Sequence, residues 1–243
     1  MIQTIKHEEL VFVFGSNLAG RHGKGAAHTA ARFYGAEDGV GIGTTGNSYA
    51  LPTKDKDLKT LPLDDIEEWV AGFLEYVQES PKTKFQVTRI GCGLAGYKDE
   101  DIFPMFKDAP PNVLLPGLWL DKMGLLSTPR CIIAGSRDFT AQGTLFTTCK
   151  STLRNQPHWE IVSGTCKGPD RMGEEFAKIR GYDIMRMPAA WNKWGKPAGP
   201  LRNHAMAWYA THAIIFWDGK SKGTKAMIKY AEQEGLKVRV IQE

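Results

Sequence analysis

The second half of the chain repeats a short apolar strand, a turn rich in glycine or proline, and a helix. Strands are predicted at 131–134, 160–163, 183–187, 213–217 and 237–241, and helices at about 141–154, 170–180, 201–210 and 225–234. Such alternation with short links favours parallel strands joined by right-handed crossovers. This half is therefore predicted to be an α/β domain built on a parallel sheet.

The turns that follow four of these strands, and the segment 198–203, contain the candidate ligand-binding residues of this half. Ligands of open parallel sheets bind beyond the carboxyl ends of the strands, where glycines and the free N–H groups of a helix start favour a phosphate. Any single turn of this kind is common, but four at one edge predict a phosphate site. The predicted ligand-binding residues are Gly135, Ser136, Arg137, Gly164, Gly168, Asp170, Arg171, Trp191, Arg202, Asn203, Lys220, Ser221, Gly223 and Thr224.

Trp191 and Arg202 occupy unusual positions among these residues. For Trp191, stacking on a base and packing beneath a long loop are equally compatible with the sequence. Arg202 falls in the first turn of a predicted helix, where the helix dipole disfavours a cation. A ligand-facing side chain explains that placement better than accident does.

The order of these segments resembles the SLOG superfamily, and within it the YspA-like, lonely-guy-related proteins, over about residues 130–243. The resemblance implies a Rossmann-like sheet that binds nucleotides or their derivatives. Lonely-guy enzymes hydrolyse nucleoside monophosphates to base and ribose phosphate, and they place a catalytic Glu shortly after their glycine segment. Here Lys225, Ala226, Met227 and Ile228 follow Gly223-Thr224, so the carboxylate that would stabilise a cationic transition state is missing at that point. The departure disfavours glycosidic cleavage and leaves binding intact.

The first half is also predicted to alternate strands and helices. Strands are predicted at 10–14, around Gly46-Asn47, at 85–90 and at 112–115, and helices at 26–34, from Asp64 onwards, and near 101–106. Asp64 is a good N-cap because Glu67 stands three residues later, as in a capping box. The acidic residues at 99–101 are predicted to form a solvated helix start, and His22 an exposed loop.

This half resembles a compact macrodomain, the ADP-ribose-binding fold, over about residues 9–116. The resemblance implies a mixed sheet, with one glycine loop on the distal ribose side and a later loop around the diphosphate. Tyr97 would lie against the distal ribose, and Asn17 would be either a ligand-facing amide or a turn-making one. The ligand-binding residues that the resemblance implies are Gly15, Ser16, Asn17, Gly23, Lys24, Gly25, Gly91, Cys92, Gly93, Leu94, Ala95, Gly96 and Tyr97.

Together these patterns predict two three-layer α/β domains, a macrodomain-like mixed sheet followed by a Rossmann-like parallel sheet. The first domain is expected at 1–118, a linker at 119–129, where glycine and proline recur, and the second domain at 130–243. The four cysteines form no CxxC pair and are expected to be free thiols, and the histidines are not at zinc-ligand spacing. Neither a metal nor a tightly bound cofactor is predicted.

Charge and hydropathy limit the partners. Residues 119–243 carry 19 Lys/Arg against 11 Asp/Glu, whereas residues 1–118 carry 12 against 16. The positive charge of the second half is dispersed, which favours a local anion pocket over a nucleic-acid face. The chain shows no apolar run of membrane-spanning length and no signal-peptide pattern at its start, so a cytoplasmic location without membrane partners is expected.

The leading functional hypothesis is recognition of ADP-ribose or an NAD-derived nucleotide, with or without hydrolysis. If the protein is an enzyme, it is expected to be a hydrolase of ADP-ribose, ADP-ribosylated protein or a nucleoside phosphate. The first alternative is non-catalytic sequestration of a signalling nucleotide, as in a phage protein that counters NAD-linked defence. Nucleic-acid binding through the basic half is a third class. The sequence leaves the oligomeric state, homo-oligomers included, open.

Overall fold

A computed structural model describes residues 1–242, which form two compact units. The C-terminal unit comprises Met1–Glu8 together with the chain from Leu120 onwards, and the N-terminal unit comprises Glu9–Trp119. Among the described residues, no helix is both long enough and apolar enough to cross a lipid bilayer.

The elements are numbered along the chain. The strands are β1 (Ile2–Thr4), β2 (Val11–Asn17), β3 (Gly43–Thr45), β4 (Ser48–Lys54), β5 (Phe85–Val87), β6 (Val113–Leu114), β7 (Arg130–Gly135), β8 (Glu160–Ser163), β9 (Asp183–Arg186), β10 (His212–Trp217) and β11 (Lys237–Gln242). The helices are α1 (Gly25–Phe33), α2 (Leu63–Gln78), α3 (Asp99–Ile102), α4 (Gly117–Lys122), α5 (Gln142–Thr152), α6 (Pro169–Arg180), α7 (Trp191–Trp194), α8 (Ala198–Tyr209) and α9 (Lys222–Gln233). Short 3-10 turns lie at His7–Glu9 and Phe103–Phe106.

The sheet of the C-terminal unit has the order β1-β9-β8-β7-β10-β11, and every pairing is parallel. The central strands β7, β8 and β10 are nearly continuous apolar runs because helices cover both faces of a parallel sheet. Their side chains pack with α5 and α6 into one core, which includes Ile133, Leu145, Ile161, Phe176 and Phe216. The parallel sheet predicted for the second half is confirmed.

The sheet of the N-terminal unit has the order β3-β4-β2-β5-β6. Strand β3 runs antiparallel to β4, and the remaining pairs are parallel. The tight turn at Gly46-Asn47 forces this reversal, because a two-residue connection can join only antiparallel strands. The prediction of an α/β chain with one mixed and one parallel sheet is therefore confirmed.

Several predicted boundaries differ from the observed ones. Strand β2 continues through Gly15-Ser16-Asn17, which were predicted to follow it, because β4 pairs alongside as far as Lys54. Helix α2 begins at Leu63 after Pro62, so Asp64 is the second helical residue and the N-cap prediction is wrong. An acidic residue there still complements the positive helix end.

Strand β1 and helix α4 lie outside the predicted pattern. Strand β1 pairs with β9 from Ile2 to Thr4, although the sequence placed this segment with the first domain. A three-residue strand with exposed side chains has too short a pattern to detect in sequence. Helix α4 occupies Gly117–Lys122, partly within the stretch predicted to be a linker. The indole of Trp119, in this helix, is fully buried.

Candidate functional site

A cavity of about 520 Å³ opens at the carboxyl edge of the parallel sheet in the C-terminal unit. The turns after β7, β8 and β10 form its walls, together with residues of α6, α8 and α9. Its lining residues are Ala134, Gly135, Ser136, Arg137, Asp138, Cys166, Asp170, Arg202, Asn203, Met206, Asp218, Lys220, Ser221, Gly223, Thr224 and Met227.

The amino end of α9 forms one wall of this cavity. The Ser221 hydroxyl caps the helix by accepting the Thr224 N–H at 3.3 Å, and the Lys225 N–H makes the first intrahelical bond, to the Ser221 carbonyl at 3.0 Å. Helix geometry leaves the N–H groups of Lys222 and Gly223 to water or a ligand. A Cβ placed on Gly223 would meet no atom within 4 Å. The backbone at Gly223 is therefore open to close approach by an anion.

The turn between β10 and α9 is held by Asp218. Its Oδ1 accepts the N–H groups of Lys220 at 3.0 Å and Ser221 at 2.8 Å. These hydrogen bonds hold the pKa of the Asp218 carboxyl below its usual value, because they favour the charged form. The Asp218 N–H in turn donates to the Ser136 hydroxyl at 3.2 Å. The loops after β7 and β10 are thus fastened to each other.

Gly135 allows the strands beneath these loops to pack closely. A Cβ there would lie 2.3 Å from the Phe216 carbonyl oxygen and 2.7 Å from a ring carbon of Pro169. No side chain fits in that space, so Gly135 shapes the cavity rim through packing.

A buried arginine and a buried aspartate form the inner wall. Arg202 is 6% exposed and Asp170 is 4% exposed. Arg202 donates to the Gly164 carbonyl, to Cys166 Sγ at 3.3 Å and to Asn203 Oδ1 at 2.9 Å. Burial raises the pKa of the Asp170 carboxyl, against the opposing effects of Arg202 and of the N–H groups of Cys166 and Gly164. The pair fixes the position of the loop after β8.

That loop has an unusual backbone. Thr165 has φ of +61°, a conformation that β-branched residues rarely adopt. At Gly164, a Cβ would lie 1.9 Å from Nη1 of Arg202 and 2.8 Å from Oδ1 of Asp170. At Gly168, with φ of +79°, it would lie 2.9 Å from the Ser136 carbonyl oxygen. At these two positions glycine is needed because neighbouring protein atoms occupy the space of a side chain, and neither residue lines the cavity.

Most residues predicted for the second half come together at this cavity. Ten line it: Gly135, Ser136, Arg137, Asp170, Arg202, Asn203, Lys220, Ser221, Gly223 and Thr224. Gly164, Gly168, Arg171 and Trp191 are not among the lining residues. The sequence interpretation missed Ala134, Asp138, Cys166, Met206, Asp218 and Met227. Met206 and Met227 follow Asn203 and Gly223 by three and four residues, so helical spacing was the signal that would have found them.

In the N-terminal unit the predicted loops adjoin each other. A Cβ on Gly25 would lie 3.5 Å from Cδ1 of Leu94, and one on Gly15 would lie 3.6 Å from the Gly91 nitrogen. At Gly23 and Gly93 a Cβ would meet no atom within 4 Å. The predicted residues Ser16, Lys24, Cys92, Ala95 and Gly96 belong to the same loops or to the end of β2.

Two predicted ligand contacts of this unit are occupied by the protein itself. The Asn17 side chain accepts the Arg21 N–H at 3.0 Å and donates to the Arg21 carbonyl at 2.7 Å, which favours its turn-making role. The Tyr97 hydroxyl donates to the Leu61 carbonyl at 2.6 Å. Both contacts fasten the loops in place.

Two other predictions for this unit are wrong. His22 is buried rather than exposed, and its Nε2 lies 3.0 Å from the Glu37 carbonyl oxygen. Asp99 is not solvated, because its carboxylate accepts two N–H groups of Arg89 and the indole N–H of Trp119. Burial and the Asp99 charge raise the pKa of the Cys92 thiol to about 12. The cysteines are free, as predicted.

Residues 129–194 match the family described as YAcAr: YspA, cpYpsA-related SLOG family. This confirms the SLOG resemblance over those residues, which run from the start of β7 to the end of α7. A search of curated proteins finds no significant match to the chain.

A solved structure of DNA processing protein A (DprA) from Streptococcus pneumoniae aligns with a TM-score of 0.39 and 21% sequence identity. The alignment covers 49% of this chain and 52% of that chain. A likeness of this size has no bearing on function.

Proposed function

We propose that the cavity of the C-terminal unit binds the phosphate of a nucleotide, with ADP-ribose and NAD-derived nucleotides as the leading ligand class. One observation carries the proposal. The capped amino end of α9 presents the N–H groups of Lys222 and Gly223 at the cavity, and a Cβ on Gly223 would meet no atom within 4 Å. Helix amino ends bind phosphate because their free N–H groups and the helix dipole both favour negative charge.

Charged side chains around this helix end support the same conclusion. Lys220 and Arg137 line the cavity and supply full positive charges, which strengthen hydrogen bonds to a phosphate oxygen. One carboxylate oxygen of Asp218 accepts the Lys220 N–H, and this hydrogen bond holds the Lys220 backbone beside the helix end. The remaining wall, with Met206 and Met227, offers apolar surface to the rest of a ligand.

The N-terminal unit is a second candidate for ADP-ribose binding. Its supporting observation is the pair of glycine loops that face each other, with Gly25 close to Leu94 and open space at Gly23 and Gly93. Leu94 is also among the most exposed large apolar side chains of the chain. An apolar side chain left uncovered beside open glycine backbone suits a ligand with a diphosphate and a ribose.

Binding is better supported than hydrolysis. The carboxylates in the cavity are Asp138, Asp170 and Asp218, and two of them have structural partners. Asp218 holds the turn before α9, and Asp170 faces Arg202 and the N–H groups of the Gly164–Cys166 loop. Mass spectrometry of a nucleotide incubated with the protein distinguishes turnover from sequestration, because a sequestered ligand is released intact on denaturation.

Thermal-shift measurements with ADP-ribose, NAD, AMP and other nucleoside monophosphates test the proposal, since a ligand of the native state raises stability. Lys220→Ala is expected to weaken binding by about 1.5 to 3 kcal/mol, the value of a charged hydrogen bond. Lys229→Ala, which removes the same charge two turns along α9, is the matched control. The proposal fails if the whole panel leaves the melting temperature unchanged, or if the two variants behave alike.

A salt titration of ligand binding distinguishes a small-ligand pocket from a nucleic-acid face. A single phosphate pocket predicts an affinity that falls weakly with salt, whereas a nucleic-acid face with many phosphate contacts predicts a steep fall.

A further inference from the structure

Trp191 is half exposed and lies outside the set of residues that line the cavity of the C-terminal unit. Its relative exposure is 49%, high for the largest apolar side chain. It opens α7, the short helix that follows β9 at the carboxyl edge of the sheet. The residue therefore lies near the edge of the sheet at which ligands of open parallel sheets bind.

The position of the indole is set by Gly199 in the first turn of α8. A Cβ on Gly199 would lie 3.2 Å from Cη2 of Trp191, 3.8 Å from Cζ3 and 4.0 Å from Cζ2. These three atoms are the outer edge of the six-membered ring. The contact therefore holds the ring by its edge and does not use its faces, which are the surfaces that stack on a base.

The face of α8 that contacts Trp191 also carries a residue that lines the cavity. Gly199 and Asn203 are four residues apart, so they are neighbours on one face, separated by about 6 Å along the helix axis. Asn203 lines the cavity, and its side-chain N–H donates to the Gly223 carbonyl at 3.3 Å. The indole, the Asn203 amide and the amino end of α9 thus follow one another along one edge of the site.

We propose that Trp191 stacks on the base of the bound ligand, so that the site selects nucleotides over sugar phosphates. This rests on the proposed phosphate site at the amino end of α9. With the phosphate at Gly223, the ribose lies over Asn203 and the base reaches the indole. An aromatic platform accepts every base because each has a π-face, so discrimination among the four bases is expected to be weak.

Isothermal titration of the full chain with ribose 5-phosphate and with AMP, GMP, CMP and UMP tests the inference. The native protein is expected to bind the nucleotides at least tenfold more tightly than ribose 5-phosphate. Trp191→Ala is expected to weaken nucleotide binding about tenfold or more, the usual cost of losing one base–aromatic stack, and to change ribose 5-phosphate binding less than twofold. Trp191→Phe is expected to retain most of the nucleotide affinity.

Ile179→Ala, which truncates another exposed apolar side chain at the far end of α6, is the matched control and is expected to change neither affinity. If Trp191→Ala weakens ribose 5-phosphate and nucleotides equally, or if nucleotides bind no better than ribose 5-phosphate, the stacking inference is overturned and the phosphate site stands. If ribose 5-phosphate, all four nucleotides, ADP-ribose and NAD all fail to bind, the proposed function itself is overturned.

Fluorescence gives an independent readout, because base stacking quenches an indole. AMP is expected to quench the native protein more than Trp191→Phe, whereas ribose 5-phosphate quenches neither. Equal quenching of both proteins by AMP would contradict stacking at this residue.

Discussion

Replacing Gly223 by alanine adds one methyl group at the amino end of α9. The new Cβ would meet no protein atom within 4 Å, and the glycine does not have a positive φ. The folded protein therefore accommodates the change without strain. Alanine is a better helix former than glycine, so the free energy of unfolding without ligand is expected to stay the same or rise by up to about 1 kcal/mol.

Because Gly223 lines the cavity, the same methyl group is expected to crowd a phosphate bound at the helix N–H groups. Losing one charge-assisted hydrogen bond costs about 2 kcal/mol, or roughly 30-fold in affinity. At a ligand concentration of about 100 times the native Kd, the ligand stabilises the native protein by about 2.7 kcal/mol. The variant, with a Kd about 30-fold higher, would gain only about 0.9 kcal/mol.

Gly143→Ala is a close control. Gly143 is likewise the second residue of a helix, α5, in the same unit, and a Cβ there also meets no atom within 4 Å. Urea or thermal unfolding of both variants, with and without AMP or ADP-ribose, separates folding from binding. If Gly223→Ala keeps the full ligand-induced stabilisation of Gly143→Ala, the phosphate is not at the amino end of α9 and the reasoning is refuted.

Two further predictions concern the buried positions Gly164 and His7. Gly164→Ala would place a Cβ 1.9 Å from Nη1 of Arg202, so the free energy of unfolding should fall by about 1 to 3 kcal/mol from overpacking, and a urea midpoint no lower than that of Gly143→Ala would contradict the close packing. His7 is 1% exposed, and burial, followed by Arg202 and Lys193, lowers its pKa from 6.5 to about 4. Between pH 6.5 and pH 4 the unfolded chain is protonated at His7 whereas the folded chain is not. The free energy of unfolding is therefore highest above pH 6.5 and decreases towards pH 4, by about 2 kcal/mol between pH 7 and pH 5. His7→Phe, which keeps a ring against Trp194, should remove that part of the pH dependence, and unfolding curves at the two pH values that show the same loss in both proteins would disprove this assignment.

Local patterns predicted much of the fold. The apolar runs of β7, β8 and β10 and the glycine turns after them are signals carried by four to eight neighbouring residues, and they were sufficient to predict a parallel sheet with the candidate ligand-binding turns at one edge. The Gly46-Asn47 turn marked the place where the first sheet reverses direction. The predictions that failed depended on distant partners. His22 and Asp99 look like solvated loop residues until Glu37, Arg89 and Trp119 are brought against them.

In the candidate site, too, some features follow from local sequence and others depend on distant parts of the chain. By itself, the sequence determined which turns carry glycine, serine and basic residues, and that most of them would meet at one edge of a sheet, because strand direction follows from the order of elements along the chain. Only the tertiary structure decided what each glycine does. The Arg202 guanidinium occupies the space that a Cβ on Gly164 would need, whereas a Cβ on Gly223 would meet no atom within 4 Å. The two residues look equivalent in sequence, since a glycine's role depends on which atoms approach it from elsewhere in the fold, and that is a property of packing rather than of neighbouring residues in the chain.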